Sequence, residues 1–184
     1  MIICLDAGHG LNTKGKECLD GTKEWTLNAR IADKVFDLLL NNTDIHVLRA
    51  DDVTGKSDVP LGTRVAKANN AKVDYYISIH HNAGIRGGKG GGIVVYYYSS
   101  KKERLEQANR LYKRCIDNGG MRGNRWKPVQ KANFYVLRKT SAPALLIECG
   151  FMDSVVDMPI IQSETYADIM AHAIYDFIRE DIRR

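Results

Sequence analysis

Apolar positions along the chain change period several times, and each change marks an element. Ile2–Asp6 is a short apolar run ending at Ala7-Gly8-His9-Gly10, the pattern of a buried strand followed by a tight loop. From Glu24 onward, Leu27, Ile31, Val35 and Leu38 recur at helical spacing, with Thr22 as the expected N-cap. Asp44–Arg49 reads as a strand. Pro60, behind Ser57 and Asp58, opens a second helix with Leu61, Val65 and Ala68 on its inner face. Val73–His80 and Ile93–Tyr98 read as further strands. Gly84–Gly92 between them is too short and glycine-rich for a stable helix and is expected to form a low, mobile rim. Ser100-Lys101-Lys102-Glu103 has capping-box spacing, and its helix turns Leu105, Ala108, Tyr112 and Cys115 inward before stopping at Gly119-Gly120. Phe134–Leu137 and Ala144–Cys149 are the last predicted strands, and a final amphipathic helix carries Ile169, Ala173, Ile174 and Phe177. This alternation predicts an α/β, three-layer fold: a mostly parallel central sheet of about six strands with helices on both faces, forming a single domain over residues 1–184.

Composition narrows the class. With 44% hydrophobic and 27% charged residues and only 4 prolines in 184 residues, the chain is neither disordered nor fibrous. No apolar run approaches the ~20 residues of a membrane span, so no membrane insertion is expected. The first residues, Met1–Asp6, lack a basic region and a long apolar core, and so do not read as a signal peptide. A net charge of +5 suits a polyanionic partner such as an anionic wall polymer. The basic residues are scattered apart from Arg122-Gly123-Asn124-Arg125-Trp126-Lys127, which gives no recognition helix and argues against nucleic acid. Cys4, Cys18, Cys115 and Cys149 show no metal-type spacing and read as reduced, mostly buried thiols.

In an open α/β sheet, ligands bind beyond the carboxyl ends of the strands. His9, His80 and Glu148 fall at such ends, and Glu24 sits in the first turn of the first helix, on its inward stripe. Each has a plain structural explanation: a glutamate in a first turn is favourable against the helix dipole, and a strand-end histidine can simply be hydrogen-bonded. His46 and His172 are left at that explanation. Glu148 follows the apolar Ala144–Ile147, where an unpartnered carboxylate costs several kcal/mol, on the order of 2–7, and so needs a partner or a function. His9, Glu24 and His80 form the kind of set that holds a catalytic Zn²⁺ with one position open for water. Glu148 would then be the unligated general base. The separations are too long for an HExxH-type motif, so spacing by itself is weak support.

The segments Asp6–Gly10, Gly21–Glu24, Ser78–Ala83 and Pro143–Phe151 resemble, in order, the motifs of the zinc-dependent N-acetylmuramoyl-L-alanine amidases (amidase_3 type). The resemblance implies His9, Glu24 and His80 as zinc ligands, Glu148 as the catalytic carboxylate, and peptidoglycan as substrate, cut between N-acetylmuramic acid and L-alanine. His81 stands where the family commonly has a small residue; alternation assigns the ligand to His80 if the strand is regular to its end. His81 and Asn82 are then candidate substrate contacts, His81 alternatively supporting the site or facing solvent and Asn82 bracing the loop. Arg64 also matches a family position and is expected to pair with a carboxylate on the helix face. Lacking a signal peptide, such a hydrolase fits a phage endolysin made in the host bacterial cytoplasm and acting on the wall after release; a bacterial autolysin, or a catalytic domain separated from a wall-binding domain, fits as well. Rival readings are a zinc peptidase acting on stem peptides, a non-catalytic wall-binding module, and a nucleotide-binding module. The last lacks both GxGxxG spacing and a Walker lysine.

Overall fold

The computed structural model of the protein describes residues 1–124 and 127–181. In chain order its elements are β1 (Ile2–Ala7), α1 (Glu24–Leu40), β2 (His46–Arg49), α2 (Leu61–Asn70), β3 (Tyr75–Asn82), β4 (Val94–Tyr97), α3 (Lys102–Asp117), β5 (Val129–Lys131), α4 (Tyr135–Lys139), β6 (Ala144–Phe151), α5 (Met158–Ile161) and α6 (Glu164–Asp176), followed by a π-helical turn over Phe177–Asp181. The strands pair in the order β2-β1-β3-β6-β4-β5. All these pairs are parallel except β4 with β6. The predicted mostly parallel sheet of six strands is the one that forms.

Alternate residues of β1 and β3 face opposite layers. Ile3, Leu5, Tyr75, Ile77 and Ile79 pack into the larger core, with Leu27 and Ile31 of α1, Leu111 of α3 and Ile174 of α6. Cys4 and Tyr76 face the smaller layer, against Val65 and Ala68 of α2 and Val136 and Leu137 of α4. Covering on both faces is what a parallel sheet requires. The four cysteines are free and buried. Among the described residues no helix is long and apolar enough to cross a membrane.

Several local expectations differ from the structure. Phe134–Leu137 is not a strand: Tyr135–Lys139 is the short helix α4, and the strand on that side is Val129–Lys131. Lys23 and Lys101, not Thr22 and Ser100, occupy the N-cap positions of α1 and α3, and neither helix has a side-chain cap. Leu61 faces outward with 53% of its surface exposed. Of the basic cluster at Arg122–Lys127, Arg125 and Trp126 lie outside the described residues.

The Gly84–Gly92 segment has no helix, but it is strapped down rather than left free. One oxygen of Asp153 accepts hydrogen bonds from the amides of Gly84, Ile85 and Arg86 at 2.7–2.8 Å. The buried Asp157 accepts from Gly92 at 2.7 Å. Met1 and the π-helical turn come together at Asp44, beyond the amino end of β1. The Met1 ammonium donates to the Asp44 carbonyl at 2.8 Å, and Arg179 lies 3.6 Å from the Asp44 carboxylate.

Candidate metal centre and active site

β1 has β2 on one side and β3 on the other, so the chain reverses its direction of winding there, and a crevice opens beyond the carboxyl ends of the strands. A cleft of about 470 Å³ occupies that place, lined among others by His9, Lys16, Arg64, His80, Phe134 and Glu148. His80 and Glu148 are register partners on β3 and β6. Beyond them the pairing steps to Asn82 and Phe151, so β6 advances three residues while β3 advances two. The extra residue is accommodated on β6, where Gly150 has φ +142°. β3 therefore stays regular to its end, and alternation turns His80 to the cleft and His81 to the opposite face.

The loop after β1 is held in an unusual shape. His9 has φ +67°, a conformation that costs energy for a residue with a side chain. Arg64, almost wholly buried, fixes it by donating to the carbonyls of Ala7 (2.7 Å), His9 (2.8 Å) and Val59 (2.7 Å). The same guanidinium pairs with the buried Asp6 at 2.6 Å and with Asp58 at 3.1 Å, and Ser78 donates to the other Asp6 oxygen at 2.8 Å. The carboxylate paired with Arg64 is thus chiefly on β1, not on the helix face as expected. Removing either member of the buried pair would leave an uncompensated charge, at a cost of about 3–5 kcal/mol.

Gly8 is required by the neighbouring imidazole, because a Cβ there would come within 2.0 Å of the His80 ring. Gly8→Ala is accordingly expected to displace His80 and to lower kcat/KM by about 10²-fold in a folded protein. Steady-state kinetics beside a wild-type circular dichroism spectrum would check this, and unchanged kinetics would contradict it.

Glu24, at the start of α1, has 1% of its surface exposed and contacts three residues that line the cleft. Its Oε2 lies 3.4 Å from His9 Nε2 and 3.9 Å from Lys16 Nζ, and Oε1 lies 3.0 Å from His80 Nδ1. Oε2 is buried without a hydrogen-bond partner. Burial opposes ionisation of Glu24, but the His80 hydrogen bond and the charges of His80, His9 and Lys16 outweigh it and hold the carboxyl down to about 2. Burial lowers His9 to about 4, with Glu24 partly opposing it. Burial works the same way on His80, but there Glu24 and Glu148 prevail and the net shift is upward. Donor atoms of His9, Glu24 and His80 all lie within 4.8 Å of one another, the expected trio brought together from three elements.

Glu148 lines the same cleft, and its Oε2 is buried without a partner. Burial, assisted by the Glu24 charge and opposed by His80 and Lys16, pushes its carboxyl up to about 7. One wall of the cleft is apolar, with Leu61, Phe134 and Tyr135 exposed on it. Lys16 supplies a cation beside Glu24.

His81 and Asn82 are placed away from that cleft. His81 is 2% exposed, with Nδ1 2.8 Å from Asn28 Oδ1, and burial pushes its ring down to about 4. A ring so enclosed neither faces solvent nor offers a substrate contact. Asn82 accepts from the Ala83 amide at 2.8 Å, bracing the loop, and borders a separate shallow depression with Tyr96 and Gln130. Sequence reasoning missed Asn28, although it lies one helical turn after Glu24 on the same buried stripe.

The comparisons agree with this architecture. A match to the family described as N-acetylmuramoyl-L-alanine amidase (Amidase_3) runs over residues 3–180. The amidase AmiC2 of Nostoc punctiforme superposes with a TM-score of 0.87 at 28% identity, covering 100% of this chain and 98% of that one. The N-acetylmuramoyl-L-alanine amidase of Clostridium difficile 630 does so with a TM-score of 0.86 at 30% identity, covering 97% and 94%. The fold is therefore that of the amidase catalytic domains. The chain belongs to the N-acetylmuramoyl-L-alanine amidase family. It is also 32% identical over 186 aligned residues to the endolysin of Bacillus phage SPP1, with 97% of this chain covered but only 65% of the endolysin's length.

Proposed function

We propose that the chain, acting as one catalytic unit over residues 1–184, is a zinc-dependent hydrolase that cuts the amide between N-acetylmuramic acid and L-alanine in peptidoglycan. The observation that carries this reading is the buried Glu24 Oε2, which has no hydrogen-bond partner and lies 3.4 Å from the imidazole of His9, a residue that lines one cleft with His80 and Glu148. Two imidazoles and a carboxylate at this separation fit the donor preferences of zinc. When bound, the ion supplies Lewis acidity, polarising the scissile carbonyl and making water acidic enough to attack near neutral pH. Glu148 takes the proton from the attacking water and passes it to the leaving L-alanine nitrogen. Its raised proton affinity suits that exchange near neutrality. The wall of Leu61, Phe134 and Tyr135 excludes water from one side of the substrate, and Lys16 offers a cation to the carboxylates of a peptide stem.

The +5 net charge favours residence among anionic wall polymers. The kinship to a phage endolysin supports a lytic role on the wall after release from the cytoplasm of the producing cell. The test is zinc-loaded protein acting on purified peptidoglycan. Digestion should expose L-alanine amino termini and free lactyl carboxylates, and should stop when a chelator removes the metal. New amino termini at other stem residues would instead identify a peptidase, and no released ends at all would identify a binding module.

A further inference from the structure

We infer that Asn28 and His81 are positioning residues that lock the Glu24 carboxylate for metal binding. The inference rests on the metal reading proposed above. Asn28 is fully buried, and its side-chain amide touches all three elements that carry the metal set. Its Nδ2 donates to the Gly8 carbonyl at 3.1 Å, next to His9 on the β1 loop, and to Glu24 Oε1 at 3.4 Å on α1. Its Oδ1 lies 2.8 Å from Nδ1 of His81, next to His80 on β3. The His81 backbone amide adds a second donor to Glu24 Oε1 at 3.2 Å.

These contacts fix every donor and acceptor. The Gly8 carbonyl can only accept, so Asn28 must turn its NH₂ toward it, which turns Oδ1 toward His81. His81 must therefore carry its proton on Nδ1. The other neutral tautomer would oppose two lone pairs at Asn28 and strand an N–H at Nε2, which is buried without a partner. With Asn28 so held, Glu24 Oε1 is engaged from two sides by this brace and Oε2 is the oxygen left over. Without the His81 donor, the buried Asn28 Oδ1 loses its partner, and the amide that donates to Gly8 and Glu24 is no longer held from its other side. Groups of this kind, which touch ligands rather than metal, typically change metal affinity by about 10–100-fold.

The measurement is the zinc dissociation constant, by competition with a chromogenic chelator, alongside thermal unfolding of the metal-free chains. His81→Phe keeps a ring but no donor, whereas His81→Asn keeps an N–H on the atom bonded to Cγ. His81→Phe and Asn28→Leu should weaken zinc binding by about 10–100-fold, and His81→Asn should restore most of the affinity. If Asn28→Leu does not fold, the two His81 variants decide the matter by themselves. Wild-type affinity in folded His81→Phe, or equal weakening in His81→Asn, would overturn the brace while leaving the metal reading intact. A wild-type chain that binds no zinc would overturn the metal reading, and the brace with it.

Discussion

Glu148→Gln is expected to retain stoichiometric zinc and to lose turnover by ~10²–10⁴-fold. The amide has nearly the shape of the carboxylate but cannot take a proton from water. Glu148 lines the cleft but lies outside the trio of gathered donor atoms, so its loss is expected to remove no ligand. The same variant carries a second expectation about stability. Burial holds Glu148 at about 7 in the folded chain, against an ordinary 4.5. Below 4.5 the carboxyl is protonated whether the chain is folded or not, and its pH-dependent contribution vanishes. As pH rises from 4.5 through 7 the unfolded chain releases the proton first; above 7 the folded chain holds a charge that water would have solvated. Metal-free Glu148→Gln should therefore be more stable than wild type near pH 8 by about 3 kcal/mol and little different near pH 4. Zinc content, single-turnover rates and urea unfolding in chelator check the three parts. Loss of metal would move Glu148 into the ligand set, and undiminished turnover would remove it from catalysis.

His9→Ala, Glu24→Ala and His80→Ala should each lose zinc, and turnover should fall below detection with it. Among the described residues no further histidine, cysteine or carboxylate joins the trio whose donor atoms gather within 4.8 Å. Zinc should raise the unfolding temperature of the wild type, since a ligand that binds only the folded state stabilises it. In the three variants that increment should disappear. Atomic absorption and thermal scans with and without zinc distinguish this outcome from simple unfolding. If Glu24→Ala kept its metal, the carboxylate roles would be exchanged between Glu24 and Glu148.

The larger architecture was legible because strand–helix alternation and strand-end chemistry are both local signals. His9, Glu24, His80 and Glu148 can be picked out as candidates from their places in the sequence pattern, and the structure brings the first three together with Glu148 beside His80. What was missed depended on contacts distant in sequence. Phe134–Leu137 is a short apolar run of the kind whose periodicity cannot separate strand from helix. Val129–Lys131, by contrast, has too few apolar residues to register as a strand. His81 was open to a solvent-facing reading because alternation implies a wet face only where a sheet has one, and β3 is covered on both. Asn28 reads as an ordinary polar helix residue until Gly8 and His81 arrive beside it. The glycine segment suggested mobility, and only the fold reveals that Asp153 and Asp157, more than sixty residues on, tie it down.

The anchoring of Met1 at Asp44 has a practical consequence for fusion proteins. Met1 leads into β1 at its amino end, whereas the cleft opens at the carboxyl end, a strand of 6 residues away, or ~20 Å. A module joined at the amino end would hang from the pole opposite the cleft, able to grip a polymer without covering it. Linker length would then set which bonds come within reach, so that anchoring and cutting can be tuned separately.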